Sequence, residues 1–199
     1  MKQDKITLTV GDATIKLPAA TVAQLALASV LSQIAPVQQP ARILPEPLNI
    51  PAIGQPWPGH GGINGGFVPA IGHVPAHYLI FAHEDVGEHE WGGRNKESKA
   101  TSRHDGKANT DILIEEGGHP AAEAARAHQA DGHTDFDLPA AAQLYQAWVH
   151  GLITEGYYWS STQRSADFAF LMDFGGGSQN LTGGKSLELR VRPVRRFFI

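Results

Sequence analysis

Gly156-Tyr157-Tyr158-Trp159-Ser160-Ser161-Thr162 is followed by Phe170-Leu171-Met172-Asp173-Phe174 and then by Leu187-Glu188-Leu189-Arg190-Val191-Arg192. The reading of these three runs decides the fold of the second half of the chain. They are short and rich in aromatic and branched residues, and glycine-rich turns separate them, the pattern of adjacent strands. Apolar and charged residues alternate strictly from 187 to 192. That alternation predicts a strand over Ser186 to Phe198 that buries Leu187, Leu189 and Val191 and leaves its arginines to solvent. The same rule turns Trp159 into the core, with Tyr158 and Ser160 facing out.

Upstream of these strands, Pro120 to Ala130 reads as an alanine-rich helix with proline in its first turn. Asp137 is placed to cap a second helix, on which Leu144, Trp148 and Leu152 form a stripe, and Gly151 marks its end. Before them, His60 to Val68 is a glycine-rich turn entering a strand, and His77 to Ala82 a buried strand. Asp85 to Gly118 is a long polar excursion in which only Asp111-Ile112-Leu113-Ile114 has strand character. Helices followed by short antiparallel strands predict an α+β domain, a twisted sheet covered by helices.

The first 58 residues are of a different kind. Ile6, Leu8 and Val10 share one strand face, Gly11-Asp12 is a turn, and Ala13 to Leu17 returns as the second strand of a hairpin. Pro18 then opens a helix over Ala19 to Ala35 carrying Val22, Leu25, Leu27, Leu31 and Ile34. From Pro36 to Pro58 there are seven prolines in 23 residues, which disfavours helix and central strand and predicts a stiff, extended connector. The expected organisation is an attachment or oligomerisation arm at 1–35, a linker at 36–56 and a globular domain at 57–199, with 85–118 as an inserted loop.

Composition narrows the function. The chain has 199 residues, a formal net charge of −4, 22 glycines, 13 prolines and no cysteine. Without cysteine there is no disulfide framework, thiolate metal site or thiol nucleophile. A pI near 6.2 argues against nucleic acid as the main partner. The first residues lack the uninterrupted apolar run of a secretory signal, and no segment is expected to enter a membrane.

The first two runs quoted, together with Arg190-Val191-Arg192-Pro193-Val194-Arg195-Arg196, resemble a family of C-type-lectin-fold domains. The family occurs in bacteriophage tail-associated proteins, in the C-terminal domains of collagen-like bacterial adhesins and in variable proteins diversified by retroelements. Gly132-His133-Thr134-Asp135-Phe136-Asp137-Leu138-Pro139 is similar to its signature ahead of the second helix. Pro56 to Ile63 and His77 to Ile80 resemble the opening strands of its phage members. The likeness runs from about Gly54 to the C-terminus, with Phe136 where the family usually has tryptophan and Ala140 where it has threonine.

The resemblance implies a C-type-lectin-like domain in a virion-associated tail or baseplate protein, made in the host cytoplasm, that recognises a host-surface receptor or glycan. The runner-up is a bacterial adhesin or retroelement-diversified display protein. In that fold the turns of the C-terminal half, here Gln163 to Asp167 and Gly175 to Lys185, form one face. Gln163, Arg164, Asp167, Gln179, Asn180 and Lys185 supply its polar groups, and Tyr157 and Tyr158 its stacking surfaces. Residues 1–35 are expected to join copies, a trimer being favoured, or to dock on other tail proteins, so that weak sites gain avidity.

Enzymatic readings fare worse. Formylglycine-generating oxidases share the implied fold but work through paired cysteines. Ser160, Ser161, His150 and Asp173 are the residue types of a hydrolase triad, yet no Gly-x-Ser-x-Gly elbow accompanies them. His83, Glu84, Asp85, Glu88, His89 and Glu90 follow no metal-binding spacing and read as a solvated acidic loop. His73 and His77 would meet only on a helix, which Gly72 and Pro75 oppose. No cofactor is expected, and a divalent cation is left open. The C-terminal arginines read as solvated strand decoration, with a polyanion-binding patch as the lesser alternative.

Overall fold

Val10 and Ala13 face each other across a two-residue turn whose first residue, Gly11, has φ +60°. The turn joins β1 (Lys5–Val10) to β2 (Ala13–Pro18) in an antiparallel hairpin, and a left-handed residue there matches the twist of the strands. The Ala19 N–H on the Asp4 carbonyl ties the hairpin to α1 (Ala19–Ile34). The computed structural model describes residues 4–34 and 49–199, so the prolines at 36, 40, 45 and 47 lie outside the described residues. The chain divides into two units, Met1–Leu48 and Asn49–Ile199.

Within the first unit, Ile6, Leu8, Ile15, Leu25, Leu27 and Val30 are all exposed, and none of the 16 residues of α1 is charged. No helix among the described residues is long and apolar enough to cross a membrane.

The second unit takes up part of the expected linker. Asn64 Nδ2 donates to the Pro51 carbonyl at 2.7 Å and the Gly54 N–H donates to the Asn64 carbonyl at 2.8 Å. These bonds fasten 51–54 to Asn64. The unit is mixed α+β, in chain order β3 (Pro56–Trp57), β4 (Gly62–Val68), β5 (His77–Phe81), β6 (Glu88–Glu90), α2 (Gly106–Glu116), α3 (Pro120–Ala127), α4 (Ala141–Val149), β7 (Tyr157–Gln163), β8 (Phe168–Asp173), β9 (Ser178–Gly184), β10 (Glu188–Arg190) and β11 (Val194–Phe198). One sheet has the order β11-β5-β4-β3 and is antiparallel; the other has the order β6-β10-β7-β8-β9. The second is antiparallel except where β10 meets β7, Arg190 opposite Tyr158.

Strand β7 separates two cores. Trp159 packs with Trp91, Leu113, Leu171 and Val191, whereas Tyr158 packs with Leu79, Leu144, Met172 and Phe174. Trp159 is buried as its alternation predicts. Tyr158 and Ser160, expected to face solvent, are buried as well, because α4 and strands β5 and β11 cover the second face. A period of two sorts residues between faces but does not say that either face is wet.

Three other local expectations are corrected. Asp111 to Ile114 is not a strand but the middle of α2, where Leu113 is buried and Asp111 and Ile114 are exposed. Asp105 caps this helix, its Oδ1 accepting the Ala108 N–H at 2.9 Å. The 85–118 stretch therefore contributes to the core, with Trp91, Ala100 and Leu113 fully buried. Asp137 does not cap α4; Gln143 Oε1 accepts the Ala140 N–H at 2.8 Å instead, and Asp137 bridges to Val194 and Arg126.

The strand expected over 186–198 is split into β10 and β11. Pro193 between them has no N–H to give a ladder, and its carbonyl accepts from Ala82. Leu187 lies in the turn before β10, its N–H donating to the Gly184 carbonyl, and is exposed rather than buried. The C-terminal arginines are also placed differently from their reading. Arg192 pairs with Asp85, Arg195 with Asp135 and Arg196 with Asp105, so three of them hold distant segments to the end of the chain.

Candidate functional site

The Arg164 guanidinium extends from the β7–β8 turn, 6.0 Å from the centre of the Phe170 ring, and is exposed. Asp167, in the same turn, is half-buried and its carbonyl accepts the Lys185 N–H at 2.9 Å. Tyr157, at the start of β7, is 52% exposed. Tyr158 is not available for stacking, since its Oη donates to Asp85 Oδ2 at 2.8 Å and the ring lies in the core. Burial also raises its pKa.

Most of the expected Gly175–Lys185 loop is strand β9, which satisfies its backbone on the open edge of β8. Gln179 and Asn180 belong to that strand, and their side chains lie outside the described residues.

An apolar groove of about 300 Å³ runs over this sheet, lined by Tyr157, Leu171, Leu181, Gly183, Leu187 and Leu189 among others. Gly183 makes the close approach possible: a Cβ there would stand 2.8 Å from Trp159 and 2.9 Å from Leu171. With β9 drawn against Trp159, Tyr157, Leu181 and Leu187 remain exposed around the depression. The sequence reading missed the groove because it buried Leu187.

Gln163 and Lys185 do come together, but inside the protein. Lys185 is fully buried. Its Nζ donates to Gln163 Oε1 at 2.7 Å, to the Lys96 carbonyl at 2.8 Å and to the Gly93 carbonyl at 3.4 Å, and it lies 4.6 Å from the Trp91 ring centre. Gln163 Nε2 donates to Glu97 Oε2 and the Ser98 carbonyl, and Gln163 Oε1 accepts the Ser98 N–H at 2.6 Å. A buried cation is tolerated when its donors are satisfied. Burial lowers the Lys185 pKa, opposed by Glu97, Glu116 and Asp167.

The network nails down segment 93–98, which has no regular structure of its own. Opposite it lies 116–119, and between them is a polar pocket of about 410 Å³ lined by Arg94, Lys96, Glu97, Glu116 and His119 and by glycines 93, 117 and 118. The His119 ring is buried, with Nδ1–H donating to the Trp91 carbonyl at 3.0 Å. Burial lowers its pKa and favours the neutral ring, opposed by the Trp91 carbonyl and Glu116; with Nδ1–H donating to Trp91, the lone pair of the neutral ring is on Nε2. A Cβ on Gly93 would sit 2.5 Å from that ring. The residues of this pocket fall in and beside the 85–118 stretch; the glycine pairs at 92–93 and 117–118 were the one sequence signal for it.

The other chemical candidates are dispersed into local bonds. Asp85 serves Tyr158 and Arg192, and His89 Nε2 contacts the Val86 carbonyl. Among the described residues no group of three or more His, Cys, Asp or Glu is placed to hold a metal ion. Ser160 Oγ donates to the Phe170 carbonyl, Ser161 Oγ accepts from Asn109, and Asp173 Oδ1 accepts the Gly175 N–H. No protein-family model matches the chain, and no curated protein matches it.

Proposed function

We propose that this chain is a virion-associated tail or baseplate protein whose C-type-lectin-like second unit recognises a host-surface receptor or glycan, while its first unit joins copies to one another or to the particle. The observation that carries this reading is the groove beside Tyr157. A half-exposed tyrosine and two exposed leucines line it over a sheet whose inner residues are packed into two cores, and Arg164 is exposed at the far end of β7. Rigid aromatic and apolar surface suits stacking on a sugar ring or an irregular protein surface. The mixed α+β architecture and the motif order at Gly156–Thr162 and Arg192–Arg196 support the lectin-like assignment. The six exposed large apolar residues among the described residues of the first unit support its role as a contact. Labelled full-length protein should bind host cells and lose most of that binding in a Tyr157→Ala, Arg164→Ala double variant. Undiminished binding by a folded double variant would reject the site.

A further inference from the structure

We infer that the pocket between 93–98 and 116–119 is a second binding site, for a small zwitterion that carries an ammonium and a carboxylate, such as a free α-amino acid. This site is separate from the Tyr157 groove and does not depend on the host-recognition reading.

The argument starts from a pair of acceptors. Glu116 Oε2 and His119 Nε2 are 3.6 Å apart. The Trp91 carbonyl takes the proton of Nδ1, which in the neutral ring leaves Nε2 as an acceptor facing a carboxylate. Two acceptors at that spacing call for a shared donor, and an ammonium, with three N–H bonds and a positive charge, satisfies both at once. Glu116 is free to do this, because its other oxygen, Oε1, accepts the Lys99 N–H while its side chain stays 31% exposed.

The facing wall has the opposite character. Among the described residues, the Arg94 and Lys96 side chains make no hydrogen bond or ion pair, and both are exposed. Glu97, the remaining carboxylate, is already taken by Gln163 Nε2 and the Ala166 N–H. One wall thus presents unpaired acceptors and the other unpaired cations, complementary to a molecule with charges of both signs. The wall is also built to hold its shape: Lys185 and Gln163 fix the Gly93, Lys96 and Ser98 backbone from behind. A fixed pocket spares a ligand the cost of ordering it. Its 410 Å³ accommodates a free amino acid.

Titration of the full-length protein with L-alanine, followed by calorimetry and by the imidazole NMR signals of His119, tests the proposal. L-alanine is expected to bind saturably and to shift the His119 signals. L-alaninamide, lacking the carboxylate, and N-acetyl-L-alanine, lacking the ammonium, should each bind about tenfold more weakly or not at all. Glu116→Gln should abolish the preference for L-alanine over N-acetyl-L-alanine, and an Arg94→Ala, Lys96→Ala variant should bind L-alanine no better than L-alaninamide. Unchanged melting temperatures would confirm that both variants fold. D-glucose binding as well as L-alanine, or no probe moving the His119 signals, would overturn the proposal. Cell binding measured on Glu116→Gln keeps this outcome distinct from the fate of the Tyr157 groove.

Discussion

The Lys185 ammonium donates to the Gln163 amide oxygen at 2.7 Å across 22 residues of sequence, with both side chains buried. From behind, they fix the Gly93, Lys96 and Ser98 backbone that lines a polar pocket. Lys185→Met preserves volume but strands the Lys96 carbonyl and takes one donor each from the Gly93 carbonyl and the Gln163 amide oxygen, which keep the Lys96 and Ser98 N–H groups, so it should destabilise the second unit by about 1–3 kcal/mol. Urea denaturation measures this, and a double-mutant cycle with Gln163→Leu should return a coupling above about 0.5 kcal/mol. Additive effects would mean that the two residues act independently.

Trp159 is fully buried between Leu113, Leu171 and Val191. Trp159→Ala should cost about 3–5 kcal/mol, seen as a large fall in the denaturation midpoint. Gly183→Ala should be costly for a related reason, since the added methyl would meet the Trp159 ring at 2.8 Å.

By contrast, Tyr157 and Arg164 are exposed. Replacing either with alanine should change stability by no more than about 0.5 kcal/mol while weakening host-cell binding. A large stability loss in Tyr157→Ala would show that the ring is a core residue.

Stability should fall on the acid side in two stages. Burial holds His60, His77, His119 and His128 below the ordinary histidine value of 6.5, and Arg195 adds to this at His60. The unfolded chain therefore takes up protons first, and stability, complete above pH 6.5, declines as the pH falls below that value. At Asp105 burial alone would raise the pKa, but the Ala108 N–H and Arg196 outweigh it; at Asp135 Arg195 does the same. Their contribution is present above the unfolded value of 3.8 and is lost below it. A melting temperature that stays flat from pH 7 to 5 would contradict the first stage.

The first unit leaves Leu25, Leu27 and Val30 exposed on a helix without charge. If that surface joins copies, light scattering after size exclusion should show an oligomer for the full chain, and Leu27→Glu with Val30→Glu should reduce it to a monomer.

The amino-acid sequence by itself determined the features that depend on near neighbours. Gly11-Asp12 between alternating strands specifies the hairpin, Pro18 starts α1, and Pro120 starts α3, because turn geometry, a missing N–H and side-chain period are local properties. Trp159 was legible as a core residue for the same reason. Tertiary structure alone decided which surfaces stay wet. Tyr158, Gln163 and Lys185 have the chemistry of a binding face, yet α4, Trp91 and segment 93–98 enclose them. Leu187 has the pattern of a core residue, yet it lies in the turn between β9 and β10 and is left exposed on a groove. Burial is set by what packs from elsewhere in the chain, and the partners here are tens of residues distant, beyond the reach of any periodicity.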